Sequence, residues 1–213
     1  MAAHRARLER ARLYLVTDEH TDDETLSEAL AGGVDVLQLR AKDAPDDAVM
    51  AAAERFRLFC AEHGALFVVN DRPDLAVAAR ADGVHVGQDD ASVADARAAV
   101  GSELAIGVST HSREQLAAAR TTDADYVCVG PVYATPTKPD YPAVGLDLVR
   151  HAAVTADRPW FAIGGIDGTN VREVAAAGAP RVAVVRAIRD APDARAAAAG
   201  LRAELEEAPA RVE

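Results

Sequence analysis

The sequence is poor in several residue types, and each shortage excludes a class of protein. Cysteine occurs only at Cys60 and Cys128, which is too few for a disulfide framework or a zinc cluster. Acidic residues outnumber basic ones by 34 to 23, and the net charge of -11 argues against nucleic acid or an anionic membrane as a partner. No apolar run is long enough to cross a membrane, and residues 1–12 lack the apolar core of a secretory signal. We therefore expect a cytoplasmic protein with two buried thiols.

Aromatic residues make up only 4% of the chain, although half of its residues are hydrophobic, so the core must be built from Ala, Val, Leu and Ile. Short apolar runs alternate with amphipathic segments along the whole sequence. The runs predict strands at residues 13–17, 34–42, 66–70, 83–87, 104–109, 125–130, 160–164 and 181–186. Helices are predicted at 22–31, 45–63, from Pro73, and at 91–100, 112–120, 146–154, 169–177 and 193–206.

This alternation requires parallel strands joined by helical crossovers, and eight units favour closure into an α/β TIM barrel, (β/α)8. Nothing in the composition marks a second domain. We expect one domain over residues 1–213, with residues 1–12 as an N-terminal extension and residues 208–213 as a frayed tail.

The second strand, V-D-V-L-Q-L-R-A-K, begins as a buried apolar run and ends with Gln38, Arg40 and Lys42 at alternate positions. Alternate residues of a strand share a face, so these three side chains point the same way and the leucines between them point the other way. Two cations at the end of a buried strand are costly unless an anion meets them. The alternative is a strand end that emerges into water.

Reactive groups of such barrels lie at the carboxyl ends of the strands, and the polar residues of this chain collect there. Besides Gln38, Arg40 and Lys42, the candidate site residues at the strand ends and in the loops after them are Asn70, Asp71, Asp90, Ser109, Thr135, Thr137, Lys138, Gly164, Gly165, Val185 and Arg186. Asp71 and Asp90 follow adjacent strands, and two carboxylates beside phosphate-binding cations suit Mg²⁺. The alternatives are a helix cap for Asp90 and a turn residue for Asp71, and Asp89 competes with Asp90.

The loops after the seventh and eighth strands form a phosphate cup in many barrels, and Gly164-Gly165 stands at the first of them; the alternative is an ordinary Gly-Gly turn. Thr135, Thr137 and Lys138 lie on a long loop, 131–145, whose hydroxyls and ammonium could bind phosphate oxygens; the alternative is an exposed polar loop. The acidic pair with its neighbouring cations and the phosphate cup together predict two phosphorylated substrates, or one bis-phosphorylated substrate.

The remaining polar residues give no nucleophile. Ser109 and His111 could each cap the following helix, which is the interpretation we favour for His111, and His85 between two valines is typical of a packed, hydrogen-bonded histidine. Neither cysteine falls at the strand ends, and no Ser/His/Asp set converges. The pattern therefore favours departure of a leaving group assisted by Mg²⁺ and cations.

Six motifs occur in order: Q-L-R-A-K, N-D-R, D-G-V-H-V-G-Q-D-D, G-V-S-T-H, G-P-V-Y-A-T-P-T-K and A-I-G-G-I. Together they resemble thiamine-phosphate synthase across essentially the whole chain. The resemblance implies that 4-amino-5-hydroxymethyl-2-methylpyrimidine diphosphate reacts with a thiazole phosphate, giving thiamine phosphate and pyrophosphate. It also implies Mg²⁺ as cofactor and dissociation of pyrophosphate as the first step, assisted by Arg40 and Lys138.

The resemblance also implies roles for individual residues. Gln38, Arg40, Lys42, Asn70, Ser109 and Lys138 would hold the pyrimidine diphosphate, with Arg40, Lys138 and Ser109 as the catalytic set; Asp71 and Asp90 would hold Mg²⁺; Thr135, Thr137, Gly165, Val185 and Arg186 would hold the thiazole phosphate. Arg186 stands where the family often has a serine.

Three other functions stay open: a thiazole tautomerase on the same barrel, a non-catalytic phosphate-binding barrel and a sugar-phosphate isomerase or epimerase. The retained acidic pair and T-P-T-K favour the synthase over the tautomerase. The partners we expect are small phosphorylated molecules, and the sequence leaves a homo-oligomer open.

Overall fold

A computed structural model describes residues 2–136 and 141–207, with the side chains described from residue 4 onward. Eight parallel strands form a closed barrel in chain order, each paired with the next and the last paired with the first. The strands are β1 Leu13–Thr17, β2 Val36–Leu39, β3 Leu66–Asn70, β4 Gly83–Val86, β5 Ala105–Thr110, β6 Tyr126–Val129, β7 Trp160–Ile163 and β8 Val182–Val184. The predicted fold class is confirmed.

Helices surround the barrel, and all except the first and the last two connect successive strands. They are α1 Ala2–Arg10, α2 Asp23–Ala31, α3 Asp46–His63, α4 Pro73–Ala78, α5 Val93–Val100, α6 Arg113–Ala119, α7 Gly145–Thr155, α8 Val171–Ala176, α9 Arg186–Arg189 and α10 Ala194–Glu207. The helices α1 and α9 were not predicted. In the part of the chain that the structure describes, none of the helices is both long and apolar enough to cross a membrane.

Helix α1 closes the amino end of the barrel. Its Leu8 is fully buried and belongs to the same apolar cluster as Val36 and Leu66, which point into the barrel. Arg7 donates hydrogen bonds to the carbonyl oxygens of Gly64, at 3.1 Å, and Ala65, at 2.8 Å, just before β3. Because this end is closed, a ligand must approach from the carboxyl ends of the strands.

The core has two layers, and β2 shows how the alternation of its side chains divides them. Leu37 and Leu39 pack outward in the large cluster shared with the helices, whereas Val36 faces the interior of the barrel. Tyr14, Tyr126 and Phe161 fill the interior of the barrel. The ring centroid of Phe161 lies 5.2 Å from that of Tyr14 and 5.9 Å from that of Tyr126. These rings form a floor beneath the carboxyl ends of the strands.

Candidate functional site

Above this floor lies a cavity of about 280 Å³ that opens at the carboxyl ends of the strands. Every predicted site residue within the described part of the chain lines it: Gln38, Arg40, Lys42, Asn70, Asp71, Asp90, Ser109, Thr135, Gly165, Val185 and Arg186. Thr137 and Lys138 lie outside the described residues. The barrel thus brings together groups that are far apart in sequence, while their individual roles stay predictions.

One side of the cavity holds the acidic pair together with Lys42. The Lys42 Nζ atom lies 2.9 Å from Asp71 Oδ2 and 3.5 Å from Asp90 Oδ1. Burial raises the pKa of Asp71, and its hydrogen bond with Asp90 raises it further. Burial also acts to raise the pKa of Asp90, but the hydrogen bond with Asp71 and the charge of Lys42 outweigh it, so this pKa lies below its ordinary value. The hydrogen bond to Asp71 raises the pKa of Lys42.

The backbone holds both carboxylates in place. Asp71 follows β3 with φ of 60°, in the left-handed region that non-glycine residues rarely adopt. Its N–H donates to the carbonyl oxygen of His85 on β4 at 2.8 Å. The N–H of Gly87 donates to Asp90 Oδ2 at 3.0 Å, and a Cβ atom at Gly87 would lie 2.6 Å from that oxygen. A side chain at Gly87 would therefore displace the Asp90 carboxylate.

The structure contradicts one interpretation of Asp90 and separates it from Asp89. Helix α5 is capped by Ser92, whose hydroxyl accepts from the N–H of Asp95 at 3.1 Å, so a capping role for Asp90 is wrong. Asp89 is exposed and accepts from the Tyr141 hydroxyl at 2.8 Å, outside the residues that line the cavity. The geometry therefore favours Asp90 as the partner of Asp71.

The opposite side of the cavity is formed by the loops after β7 and β8. Gly164 and Gly165 both have positive φ, 102° and 65°, and a Cβ atom at Gly165 would lie 2.7 Å from the Cβ of Tyr133. Glycine is required there because the backbone passes close to its neighbour. Asn170 was missed by the sequence analysis; its Nδ2 donates to the carbonyl oxygen of Gly165 at 2.9 Å and fixes this loop.

The capping interpretation of Ser109 and His111 is wrong. Ser112 caps α6, since its hydroxyl accepts from the N–H of Gln115 at 3.2 Å. Ser109 lies within β5, and its Oγ is 3.0 Å from Nε2 of His85. His111 lines the cavity, with its Nδ1 against the carbonyl oxygen of Gly130 and its ring 4.2 Å from that of Tyr141.

His85 is buried and hydrogen-bonded as predicted, but it also lines the cavity. Its Nδ1 lies 3.2 Å from the hydroxyl of Tyr126. Cys128, which the sequence analysis did not place near the strand ends, is buried in β6 and lines the same cavity. His85 and Cys128 stand at positions of β4 and β6 whose side chains point into the barrel. This alternation was the sequence signal that both residues line the cavity.

The donors and acceptors of the site suit an anion with a cation beside it. Asn70 Nδ2 is buried and has no hydrogen-bond partner among the described residues, which leaves a donor for a ligand oxygen. Within residues 2–136 and 141–207, no group of three or more His, Cys, Asp or Glu side chains could hold a metal ion by itself. A metal between Asp71 and Asp90 would need further oxygens, which a phosphate can supply.

Comparison with known proteins gives one consistent result. Residues 13–188 match a family described as thiamine monophosphate synthase. The thiamine-phosphate synthase of Thermobifida fusca is 55% identical over 209 residues, covering 94% of this chain and 95% of that protein. The enzyme of the same name from Saccharopolyspora erythraea is 53% identical over 213 residues, covering 94% and 96%. The structure of thiamine phosphate pyrophosphorylase from Pyrococcus furiosus is similar with a TM-score of 0.87 and 36% identity, covering 97% of this chain and 99% of that one.

Proposed function

Because the chain belongs to the thiamine monophosphate synthase family, we propose that it joins 4-amino-5-hydroxymethyl-2-methylpyrimidine diphosphate to 4-methyl-5-(2-phosphooxyethyl)thiazole. The products are thiamine phosphate and pyrophosphate. The observation that carries the proposal is a single cavity that Arg40, Lys42 and the acidic pair line together with the loop of Gly165. Such a cavity can hold a diphosphate and a monophosphate facing each other.

The diphosphate occupies the side formed by β2, β3 and β4. Arg40 and Lys42 supply positive charge, and the Nδ2 atom of Asn70, which is unpaired among the described residues, supplies a buried donor. Gln38 and Ser109, which line the cavity at its floor, hold the pyrimidine ring. We propose the same binding function for Lys138, which belongs to the T-P-T-K motif.

Asp71 and Asp90 fit a Mg²⁺ ion at this side, since the ammonium of Lys42 already lies within 3.5 Å of an oxygen of each carboxylate. Because both carboxylates already face the ammonium of Lys42, they are also placed to face a Mg²⁺ ion. A Mg²⁺ ion held by Asp71 and Asp90 would supply positive charge to neutralise the leaving pyrophosphate. Asn70 and Lys42 remain beside it to contact phosphate oxygens.

The chain itself positions the substrates and neutralises charge. The bond between the pyrimidine methylene carbon and the pyrophosphate oxygen breaks, and its electron pair goes to the oxygen, where Arg40 and Lys138 stabilise it. The resulting methylene cation is stabilised by the pyrimidine ring. The lone pair of the thiazole nitrogen then forms the new carbon–nitrogen bond, so no general base is required. Alignment of the two substrates supplies much of the rate.

The thiazole phosphate occupies the side formed by the loops after β7 and β8. Gly165 lets the backbone approach the phosphate, and Val185 and Arg186 lie where α9 begins. Thr135 lines the same cavity, and Thr137 follows it in the T-P-T-K motif. The substrates are small molecules, and both cysteines are buried thiols that form no disulfide, which suits a reducing compartment, so we propose that the enzyme works in the cytoplasm.

The test is pyrophosphate release from the purified protein with both substrates and Mg²⁺, omitting each component in turn. We expect release only when all three are present. Release that does not need the thiazole phosphate, or turnover of a thiazole tautomer without the pyrimidine diphosphate, would contradict the proposal and favour another reaction of this barrel.

A further inference from the structure

Five polar side chains form a continuous hydrogen-bonded set across the barrel, which we call the interior network. Gln38 Nε2 donates to the Tyr14 hydroxyl at 2.6 Å, and the hydroxyls of Tyr14 and Tyr126 are 2.9 Å apart. The Tyr126 hydroxyl lies 3.2 Å from Nδ1 of His85, and Nε2 of His85 lies 3.0 Å from Ser109 Oγ. The network therefore links Gln38 on β2 to Ser109 on β5 through the floor of the cavity.

Only part of the network reaches the cavity. Gln38, His85 and Ser109 line it, whereas Tyr14 and Tyr126 are fully buried beneath it. A buried hydroxyl without a partner costs free energy, so this network costs less when every member is paired. A side chain at Gly107 would collide with Tyr126 and with His85 Nδ1, so the backbone of β5 leaves room for this contact.

Each tyrosine contributes one proton to the network. Burial raises the pKa of both Tyr14 and Tyr126, so both are neutral hydroxyls near neutral pH. A neutral hydroxyl can donate one hydrogen bond while it accepts others. If every hydroxyl proton has a partner within the network, the direction of the first hydrogen bond determines the direction of those that follow.

That direction can be followed from Gln38. Since the amide donates to the Tyr14 oxygen, the Tyr14 proton finds its partner in the Tyr126 oxygen. The Tyr126 proton is then donated to Nδ1 of His85. An imidazole with an acceptor at Nδ1 carries its proton at Nε2, which donates to Ser109 Oγ. The Ser109 proton is left to face the cavity.

We propose that Tyr14 and Tyr126 are positioning residues that make Gln38 present its carbonyl oxygen, and Ser109 its hydroxyl proton, to the pyrimidine ring. The inference rests on the proposed function for the identity of the substrate. An aminopyrimidine donates from its amino group and accepts at a ring nitrogen, which matches one acceptor and one donor. A 4-oxo pyrimidine has the opposite pattern on that edge, so the interior network selects against it.

The reverse order of protons is the main alternative. If Ser109 donated to His85, each later hydrogen bond would reverse and the Gln38 carbonyl oxygen would accept from Tyr14. The cavity would then present the opposite pattern of donor and acceptor. The position of the proton on His85 distinguishes the two orders.

The first test is ¹⁵N NMR of the histidine rings in the whole protein, with His85 assigned by the loss of its signals in His85→Asn. We expect the Nε2-protonated tautomer in the wild-type protein and a mixture of tautomers in Tyr126→Phe. An Nδ1-protonated ring in the wild-type protein would overturn the proposal. This measurement needs no substrate, so its result stands even if the protein releases no pyrophosphate.

The second test measures kcat/KM for the 4-amino and the 4-oxo pyrimidine diphosphates, both with the same thiazole phosphate. Loss of one oriented hydrogen bond should lower the preference for the amino substrate about tenfold in Tyr14→Phe and Tyr126→Phe. The KM for thiazole phosphate should change less than about threefold, since that ligand lies on the other side of the cavity.

The control is Tyr133→Phe, which removes a hydroxyl that bonds to Glu173 on the surface at 3.1 Å. We expect it to keep the wild-type preference. If the preference were also unchanged in both interior variants, with their circular dichroism spectra intact, the two tyrosines would have a structural role alone. If the wild-type protein used neither substrate, the proposed function would fail, and the NMR result would remain the test of the interior network.

Discussion

Lys42 lies between two carboxylates that have different environments. Asp71 is the more buried of the pair and follows β3 in a strained backbone conformation, whereas Asp90 is held by the N–H of Gly87. A strained residue that persists is held by its surroundings, and such residues cluster at functional sites. This favours a function for Asp71 over a structural one.

Replacement of Asp71 by Asn should therefore separate activity from stability. We expect Asp71→Asn to lower kcat/KM at least about 100-fold, because the neutral amide is a poor ligand for Mg²⁺. Thermal unfolding should change little, since the raised pKa shows that ionisation of this buried group is costly. Pyrophosphate release, titrated with Mg²⁺, and differential scanning calorimetry measure the two effects.

Asp89→Asn is the matched control, because Asp89 is exposed and bonds to Tyr141 away from the cavity lining. It should keep activity within about threefold, as surface substitutions usually do. Full activity in Asp71→Asn would remove Asp71 from the metal site, and a large loss in Asp89→Asn would transfer that role to Asp89.

Arg40 lines the cavity, and in the proposed function it binds the diphosphate. We expect Arg40→Ala to raise the KM for the pyrimidine diphosphate more than about tenfold, because a charged hydrogen bond contributes about 1.5–3 kcal/mol. The KM for thiazole phosphate should stay within about threefold. Arg55→Ala, which removes an arginine that pairs with Asp23 on the helical surface, is the control. Equal losses for the two substrates would contradict the assignment of opposite sides.

Substitution of Arg186 distinguishes binding of the thiazole phosphate by its side chain from binding by its backbone. Arg186 is an exposed residue at the start of α9, and it lines the cavity next to Val185. If the backbone N–H groups bind the phosphate, Arg186→Ser should keep the KM for thiazole phosphate within about threefold. Steady-state kinetics with varied thiazole phosphate measure this, and a loss above about tenfold would assign the binding to the guanidinium.

At the scale of elements, the strands and helices with a strong periodic pattern could be predicted from the sequence, and those with a weak pattern could not. The boundaries of β1 and β3 agree with the predicted residues, and β5 is shifted by one residue. The strands β4, β6 and β7 are one or two residues shorter than predicted, and β8 and β2 are shortened further, because the pairing ends before the predicted run does. Helix α9 has four residues, too few to show a helical period. Helix α1 is mostly basic and polar, and Leu8 carries its main buried contact.

The site was predictable for the same reason that the strands were. Once eight strands are parallel, the residues after each strand must meet at one end of the barrel, so Asp71 and Asp90 could be paired without any contact information. Contacts inside the barrel could not be predicted in this way. Tyr14 and Tyr126 were assigned to strands, but their mutual hydrogen bond depends on the curvature of the closed sheet.

Helix α1 provides a prediction about stability alone. Leu8 is fully buried at the amino end of the barrel, so Leu8→Ala should lower the free energy of unfolding by about 2–5 kcal/mol. Leu58→Ala, on the exposed face of α3 where the side chain is 54% exposed, should change it by less than about 0.5 kcal/mol. Urea denaturation followed by circular dichroism measures both. The folded Leu8 variant should keep its KM values, and a specific change in KM would show that α1 communicates with the cavity.

The whole molecule unites the two sides of the cavity through the closed barrel. In the proposed function, residues after β2, β3 and β4 bind one substrate and residues after β7 and β8 bind the other, and all these strands belong to a single hydrogen-bonded ring. A ligand on either side should therefore stabilise the complete barrel against unfolding, because no strand can leave without opening the ring. The free energy of binding a ligand at one side therefore adds to the free energy of unfolding of the complete barrel.

Pyrophosphate with Mg²⁺ tests this directly by thermal unfolding. At about 100 times its Kd, a ligand that binds only the folded state adds about 2.7 kcal/mol. For a chain of this length, that corresponds to a rise in Tm of about 5–10 °C. The rise should disappear in Asp71→Asn and on addition of EDTA, and should persist in Arg186→Ser, which lies on the thiazole side. Stabilisation that survived both the loss of the carboxylate and the removal of the metal would mean that pyrophosphate binds elsewhere on the protein, since the acidic side of the cavity would then contribute nothing to its binding.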